Sequence, residues 1–315
     1  MATLEVIHAG MLSLIQDLGR FGVGSQGLSQ GGPVDLHAYC WANYLVGNDA
    51  NTPLIEITLG KASFKATSRC CVVITGADMS ATVDGTVVNN WQRFTLNKGQ
   101  VLSFGFAREG LRAYLAVSGG FNIPVVLGSC SAVSRNQLGG LKKGRPLMKG
   151  DSLPLNAVAD FNEIGRNEGQ QVASRFVPDY GNPITLRVVE SYQHAAFADS
   201  EKEAFYHSAY TVSQETDRMG CRLDGRAITA DMNNGIVSEG IALGAIQIPP
   251  NGQPIVLLND RQTLGGYPKL GCVACVDIPK LAQARPYTEV HFKPTSLSEA
   301  TEEWLVFSRF FGLQF

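Results

Sequence analysis

Five stretches of this chain are too polar and too rich in glycine to serve as core alone. The first joins Gln16-Asp17-Leu18-Gly19-Arg20 to Gly31-Gly32-Pro33-Val34-Asp35. The second joins Ala42 to Asn48 with Leu54 to Thr58 and contains Asn43 and Glu56. The third runs from Arg112 through Ser118-Gly119-Gly120 and resumes at Leu127 to Ser131. The fourth is Asp217-Arg218-Met219-Gly220-Cys221-Arg222-Leu223. The fifth extends from Gly252 to Pro268 and includes Asp260-Arg261-Gln262-Thr263-Leu264-Gly265-Gly266-Tyr267. Their chemistry is that of anion recognition. The guanidinium forks of Arg20, Arg218 and Arg222 suit a carboxylate or a phosphate in bidentate fashion. Glycine-rich backbone brings N–H donors close to a developing oxyanion. Asp35 and Asp260 supply carboxylates able to accept or relay a proton.

Several familiar motifs fail on context. Gly22-Val23-Gly24-Ser25-Gln26-Gly27 matches the dinucleotide pattern, but that pattern requires a helix to start at once so that its N-terminus meets the pyrophosphate. Here Gly31 and Gly32 intervene before the next helix signal. Cys272-Val273-Ala274-Cys275 has no second pair to complete a zinc site, and in a strand residues three apart face opposite sides. Met148-Lys149-Gly150 lacks the second flanking methionine of a biotin-carrying lysine and reads as the end of a hairpin. No Walker A, HExxH or GxSxG pattern occurs. The sequence therefore shows neither a conventional nucleotide site nor a metal site, and no biotin attached to this chain.

The elements that must position these residues are mostly strands. Thirty-four glycines in an apolar, non-repetitive chain imply many tight turns. Asp84-Gly85 lies between β-branched runs and accepts the positive φ values of a type I′ turn. Asp224-Gly225 suggests the same device, and Asn97-Lys98-Gly99 and Asn251-Gly252 sit between apolar runs. Helices are fewer. One is expected over Pro33 to Val46, with Asp35 complementing its dipole, Gly47 ending it, and Ala38, Trp41, Ala42 and Leu45 forming its apolar stripe. Asp277 is placed to cap a short helix at Pro279. Ser296 and Glu299 form a capping-box pattern before a C-terminal helix. The polar stretch from Ala157 to Pro183 suggests a boundary between two domains, 1–165 and 166–315. A weak echo links Asp17-Leu18-Gly19-Arg20 and Ser118-Gly119-Gly120-Phe121 to Asp217-Arg218-Met219-Gly220 and Leu264-Gly265-Gly266-Tyr267. Related β domains or chance similarity of glycine-rich turns both account for it.

The formal charge of −2, with both signs interspersed, gives no basic stripe for nucleic acid. The acidic start Met1-Ala2-Thr3-Leu4-Glu5 is a poor signal peptide, and apolar runs such as Ile255 to Leu258 are too short to cross a membrane. Seven scattered cysteines suit a reducing cytoplasm rather than a disulfide framework.

Together and in order, the five segments resemble the biotin-dependent carboxyltransferase family, also described as allophanate hydrolase subunit 2. The resemblance covers Leu4 to about Phe292, and Gly265-Gly266-Tyr267-Pro268 is its most specific part. Within the family the chain is most similar to the 5-oxoprolinase branch. The resemblance implies a mainly β chain with a few helices, folded as two cyclophilin-like β-barrel domains. It implies ATP-dependent opening of 5-oxo-L-proline to L-glutamate, together with 5-oxoprolinase subunits A and B and with ATP shared with a partner subunit. This chain has Asp217 where the family usually has Asn, Cys221 where it has Tyr, and Leu264 where it has Thr. Those changes put in doubt any contact made by the missing ring or hydroxyl.

A five-membered lactam is a poor electrophile, because nitrogen donation stabilises its carbonyl. Phosphorylating the amide oxygen creates a leaving group. On this reading Arg20, Arg218, Arg222 and Lys269 are candidates to hold substrate or phosphate anions. Asp35 and Asp260 accept protons, and Gln262, Tyr267 and Lys269 orient the amide. Structural roles compete for most of them. Asp35 also suits a helix N-terminus, and Asp260 could pair with a neighbouring arginine. Arg218 and Arg222 could be paired surface groups, and Tyr267 could cap a core. Asn43 and Glu56 look structural. A carboxyltransferase moving carboxylate from carboxybiotin to a urea-like substrate is a second reading. A non-catalytic regulator that binds a kinase-inhibitor-like partner is a third.

Overall fold

The computed structural model describes residues 2–157, 169–231 and 236–313. Its contacts divide the chain into two compact units, Met1–Arg20 with Gly31–Gly181, and Phe21–Gln30 with Asn182–Phe315. The boundary expected between 165 and 166 lies outside the described residues. The chain beyond it still belongs to the first unit, because Arg93 N–H donates to Gln170 O and Val172 N–H to Trp91 O. Nothing in the sequence signals that Phe21–Gln30 joins the second unit. There Ser29 Oγ donates to the carbonyls of Asp260 (3.2 Å) and Arg261 (2.8 Å).

The first unit contains β1 (Thr3–Ala9), β2 (Leu12–Gln16), β3 (Leu54–Thr58), β4 (Ala62–Ala66), β5 (Cys70–Asp78), β6 (Thr82–Val83), β7 (Thr86–Val87), β8 (Arg93–Leu96), β9 (Val101–Ser103), β10 (Glu109–Val117) and β11 (Ser152–Pro154). They form a six-stranded sheet, β11-β1-β4-β9-β6-β7, and a five-stranded sheet, β2-β3-β10-β5-β8. Alternating apolar residues from both sheets make one core. Leu4, Val6, Phe64 and Leu102 come from the first sheet, and Ile55, Ile74 and Leu115 from the second. Asp84 (φ 49°) and Gly85 (φ 87°) turn β6 into β7 as the type I′ signal requires. Asn97-Lys98-Gly99 instead carries the chain from β8 in one sheet to β9 in the other.

Helix α1 spans Leu36–Leu45, three residues later than Pro33 suggested. Asp35 fixes the start: its Oδ1 accepts the Ala38 N–H at 2.9 Å. The stripe Ala38, Trp41, Ala42 and Leu45 is buried, as are Tyr39, Cys40 and Asn43.

In the second unit β12 (Ile184–Glu190), β13 (Tyr210–Val212), β14 (Gly220–Asp224), β16 (Ala245–Gln247), β17 (Ile255–Leu257), β19 (Lys269–Val273) and β20 (Glu289–Pro294) close into a seven-stranded barrel. Its order is β12-β19-β16-β17-β14-β13-β20, and the closing pair β12–β20 is parallel. The mainly β expectation holds, and this barrel is its closed element. A separate two-stranded ladder joins β15 (Glu239–Gly240) to β18 (Leu264–Gly265). Helix α2 (Asp199–His207) stacks Phe205 on Phe292 at 4.5 Å. Asn251-Gly252 turns β16 into β17. Asp224-Gly225 makes no hairpin, because β14 pairs with β13 before it and with β17 much later.

Helix α3 (Ile278–Gln283) follows Asp277, but the Asp277 side chain does not cap it. That carboxylate instead accepts from Arg187 Nε at 2.8 Å and Lys280 Nζ at 2.7 Å. Helix α4 (Leu297–Phe311) carries the expected Ser296/Glu299 capping box. Cys275 lies beyond β19 in a short 3₁₀ turn, and none of the seven cysteines is paired. Among the described residues no helix is long and apolar enough to cross a membrane.

Candidate functional site

In the second unit, the ladder β15–β18 and the barrel strands β16 and β19 assemble a polar cluster from residues far apart in sequence. Gln247 and Lys269 are cross-strand partners, with a register shift at Ile246/Gln247. Such a shift re-aims a side chain. Lys269 is 5% exposed, yet its ammonium is held by Glu239 Oε1 at 2.5 Å and by the Tyr267 carbonyl at 3.5 Å. Glu239 also accepts from Gln193 Nε2 at 2.7 Å and from the Tyr192 hydroxyl. The Lys269 hydrogen bond leads the causes that hold the Glu239 carboxyl below its ordinary range, with the Tyr192 hydroxyl next. Gln193 closes the circuit, because its Oε1 accepts the Lys269 backbone N–H at 2.9 Å.

Gly265 pairs with Glu239 across the ladder and lies over Gln247. A Cβ there would stand 2.5 Å from Ile241 Cδ1, 2.8 Å from Gln247 Nε2 and 3.4 Å from Gln262 Nε2. Any larger residue there would have to displace the ends of those three side chains. Tyr267, two residues on, is 42% exposed.

Asp260 and Arg218 form a bidentate pair, with Nε to Oδ2 and Nη2 to Oδ1 both at 3.0 Å. Both side chains are largely buried. Arg261 differs. Its guanidinium donates to the carbonyls of Ile241 (3.1 Å) and Leu258 (3.3 Å), and no carboxylate of the described residues pairs with it. Burial pulls its pKa below the ordinary arginine value. A desolvated guanidinium bonded to neutral carbonyls retains attraction for an anion.

Arg222 stands elsewhere. Its side chain is 52% exposed on β14 and faces the exposed Glu215 at 3.8 Å, a surface pair of small worth. The structure does not bring it to the cluster.

The first unit holds Arg20 and Asp35, each with structural partners. Arg20 is 1% exposed and donates to the carbonyls of Val126 (3.0 Å) and Ser129 (3.2 Å). Asp17 ties the same loop through Ser129, Cys130 and Ser131. Asp35 caps α1, and its Oδ2 accepts the Tyr180 hydroxyl at 3.3 Å. Burial first, and the Asp35 charge second, push the Tyr180 phenol far above its usual range. Glu56 accepts from Tyr114 Oη (2.8 Å) and Val34 N–H (3.0 Å), and Asn43 Nδ2 donates to the Thr52 carbonyl (3.0 Å). Glu56 holds the entry to α1, and Asn43 ties its last turn to the chain that follows. This unit also has an open cleft of about 570 Å³, lined among others by Asp78, Trp91, Arg108, Glu109 and Tyr180.

Gln262, Tyr267, Lys269, Asp260 and Arg218 thus belong to one unit, with Arg261, Glu239, Gln193 and Gln247 added by the structure. Gln247 reads in sequence as the interior of an apolar strand. Glu239 and Gln193 have no local motif, since each meets Lys269 only across 30 and 76 residues. Among the described residues no three His, Cys, Asp or Glu side chains converge on a possible metal position.

The model of the family described as carboxyltransferase domain, subdomain A and B, matches residues 26–294. The chain is 38% identical over 299 residues to the C subunit of 5-oxoprolinase from Escherichia coli K12, covering 94% of this chain and 93% of that protein. It is 34% identical to the C subunit of 5-oxoprolinase from Haemophilus influenzae, covering 95% of this chain and 93% of that protein. The crystal structure of the K. lactis urea amidolyase superposes with a TM-score of 0.89 at 26% identity, over 97% of this chain but 20% of that one.

Proposed function

This chain belongs to the carboxyltransferase domain family of subdomains A and B, and on that premise we propose that it is the C subunit of an ATP-dependent 5-oxoprolinase, converting 5-oxo-L-proline to L-glutamate together with subunits A and B. The observation that carries this reading is the extent of the match. The chain spans 93% of relatives that bear that name, but only about a fifth of the urea amidolyase.

The chemistry follows from the substrate. The lactam oxygen attacks the γ-phosphorus of ATP, and ADP leaves. Water then adds to the activated ring carbon and the C–N bond breaks, leaving an acyl phosphate, which a second water cleaves to the carboxylate and free phosphate. The ring nitrogen takes a proton and becomes the amine of glutamate. The chain's own contribution is orientation and charge. Arg261 is the group suited to the substrate carboxylate, since none of the described carboxylates competes for it. Lys269, locked by Glu239 and Gln193, places a cation beside the amide. Gln262 and Tyr267 orient the ring, and Asp260, held by Arg218, is the proton acceptor. Arg20 and Asp35 act through the loop and the helix they fix. ATP is shared with a partner subunit, and the complex works in the cytoplasm.

A second reading, transfer of carboxylate from carboxybiotin to a urea-like substrate, draws on the family description and the urea amidolyase likeness. ADP release by the mixed subunits distinguishes the two. Stimulation by 5-oxoproline is the expected result. Stimulation only by urea with bicarbonate and a biotinylated carrier would favour the second reading instead.

A further inference from the structure

Gln247 is 1% exposed, and its Nε2 has no hydrogen-bonding partner among the described residues. A buried donor left unpaired costs free energy, so a strand interior ordinarily selects an apolar side chain there. Its surroundings point to a ligand. Gln262 Nε2 converges on the same point above Gly265, at 3.4 Å where Gln247 stands at 2.8 Å. Ile241, which touches that point, also offers its carbonyl to Arg261, the guanidinium with no described carboxylate beside it. Lys269 is the cross-strand partner of Gln247.

We infer that Gln247 and Gln262 form a two-donor cradle for the carbonyl oxygen of a small planar amide, the ring oxygen of the lactam. A carbonyl oxygen has two lone pairs and accepts from two such N–H groups at once. The donors are neutral, so they recognise the amide oxygen rather than a second carboxylate. One of the two gives up its lone pair when that oxygen attacks phosphorus, so the cradle acts by orienting the bound substrate. The main chain over Gln247 belongs to the two-stranded ladder β15–β18, which is separate from the barrel sheet. A site built to donate to an oxygen rejects the analogue that lacks it, because its own buried polar group is then left unpaired. The inference deepens the proposed function and rests on the ligand being a cyclic amide.

The test compares wild type with Gln247→Met and Gln262→Met in two assays. In the reconstituted three-subunit enzyme, each variant is expected to lower kcat/KM for 5-oxoproline by roughly tenfold, the weight of one hydrogen bond. The melting temperature of Gln247→Met is expected not to fall, since the variant removes an unsatisfied buried donor. In the second assay the chain alone is titrated with 2-pyrrolidinone and with pyrrolidine, which lacks the ring oxygen, and amide shifts are followed by NMR. Wild type is expected to bind only the lactam, and both variants to lose that preference. Unchanged kcat/KM in both variants, or equal binding of the two rings by wild type, overturns the cradle. Gln262 is only partly buried, so its variant decides the matter even if Gln247→Met does not fold. A wild-type complex that ignores 5-oxoproline while the chain still selects pyrrolidinone refutes the proposed function and leaves the cradle standing.

Discussion

Asp260 and Arg218 show how much a single buried pair commits the second unit. Each satisfies the other through two 3.0 Å bonds, and neither has ready access to water. Removing one partner strands the other charge, so Arg218→Met is expected to destabilise the chain by about 3–5 kcal/mol. Arg222→Met, at an exposed pair, should cost less than about 1 kcal/mol. Urea unfolding of the two variants checks the contrast. His37 gives the first unit a pH response. Burial lowers its imidazole from 6.5 to about 4, and Trp41 Nε1–H donates to its Nε2 at 3.2 Å. The folded state therefore binds this proton less readily than the unfolded chain. The stabilisation is complete above about pH 6.5 and is lost as pH falls toward 4. A denaturation midpoint that drops between pH 7 and 4.5 in wild type, but less in His37→Gln, is the expected result.

Among the elements, those governed by local chemistry are legible in the residues themselves. The Asp84-Gly85 turn, the Asn251-Gly252 hairpin and the Ser296/Glu299 capping box form because their residues satisfy neighbouring backbone groups. Ser296→Ala removes the side-chain acceptor of the Glu299 N–H and should cost about 1 kcal/mol, read as a lower thermal midpoint. Elements fixed by long-range pairing are not legible in this way. Asp277 has the look of a cap, but Arg187 on β12 and Lys280 on α3 claim its carboxylate. Asp224-Gly225 has the look of a hairpin turn, but β14 has other partners. The site divides the same way. Gln262 and Asp260 lie in one polar segment, with Lys269 directly after it, and stand out as candidates. Glu239, Gln193 and Gln247 enter through barrel closure, which no local pattern encodes. Arg20 and Asp35 stand out because they are polar, and their contacts show that polarity serving a loop and a helix start.

For the molecule as a whole, the two units divide their polar residues by purpose. In the first, Asp17, Glu56 and Tyr114 direct their hydrogen bonds to the backbone around Arg20 and α1. In the second, Lys269 and Glu239 satisfy each other, while Arg261 donates to backbone carbonyls only and Gln247 Nε2 has no partner among the described residues. On the proposed function that arrangement serves to bind and orient, and the companion subunits are expected to complete the reaction. The most direct measurement mixes this chain with purified subunits A and B, supplies 5-oxoproline and ATP, and follows glutamate while each protein is omitted in turn. Glutamate should form only when all three are present. Formation by this chain alone, or at an undiminished rate without it, would contradict the account.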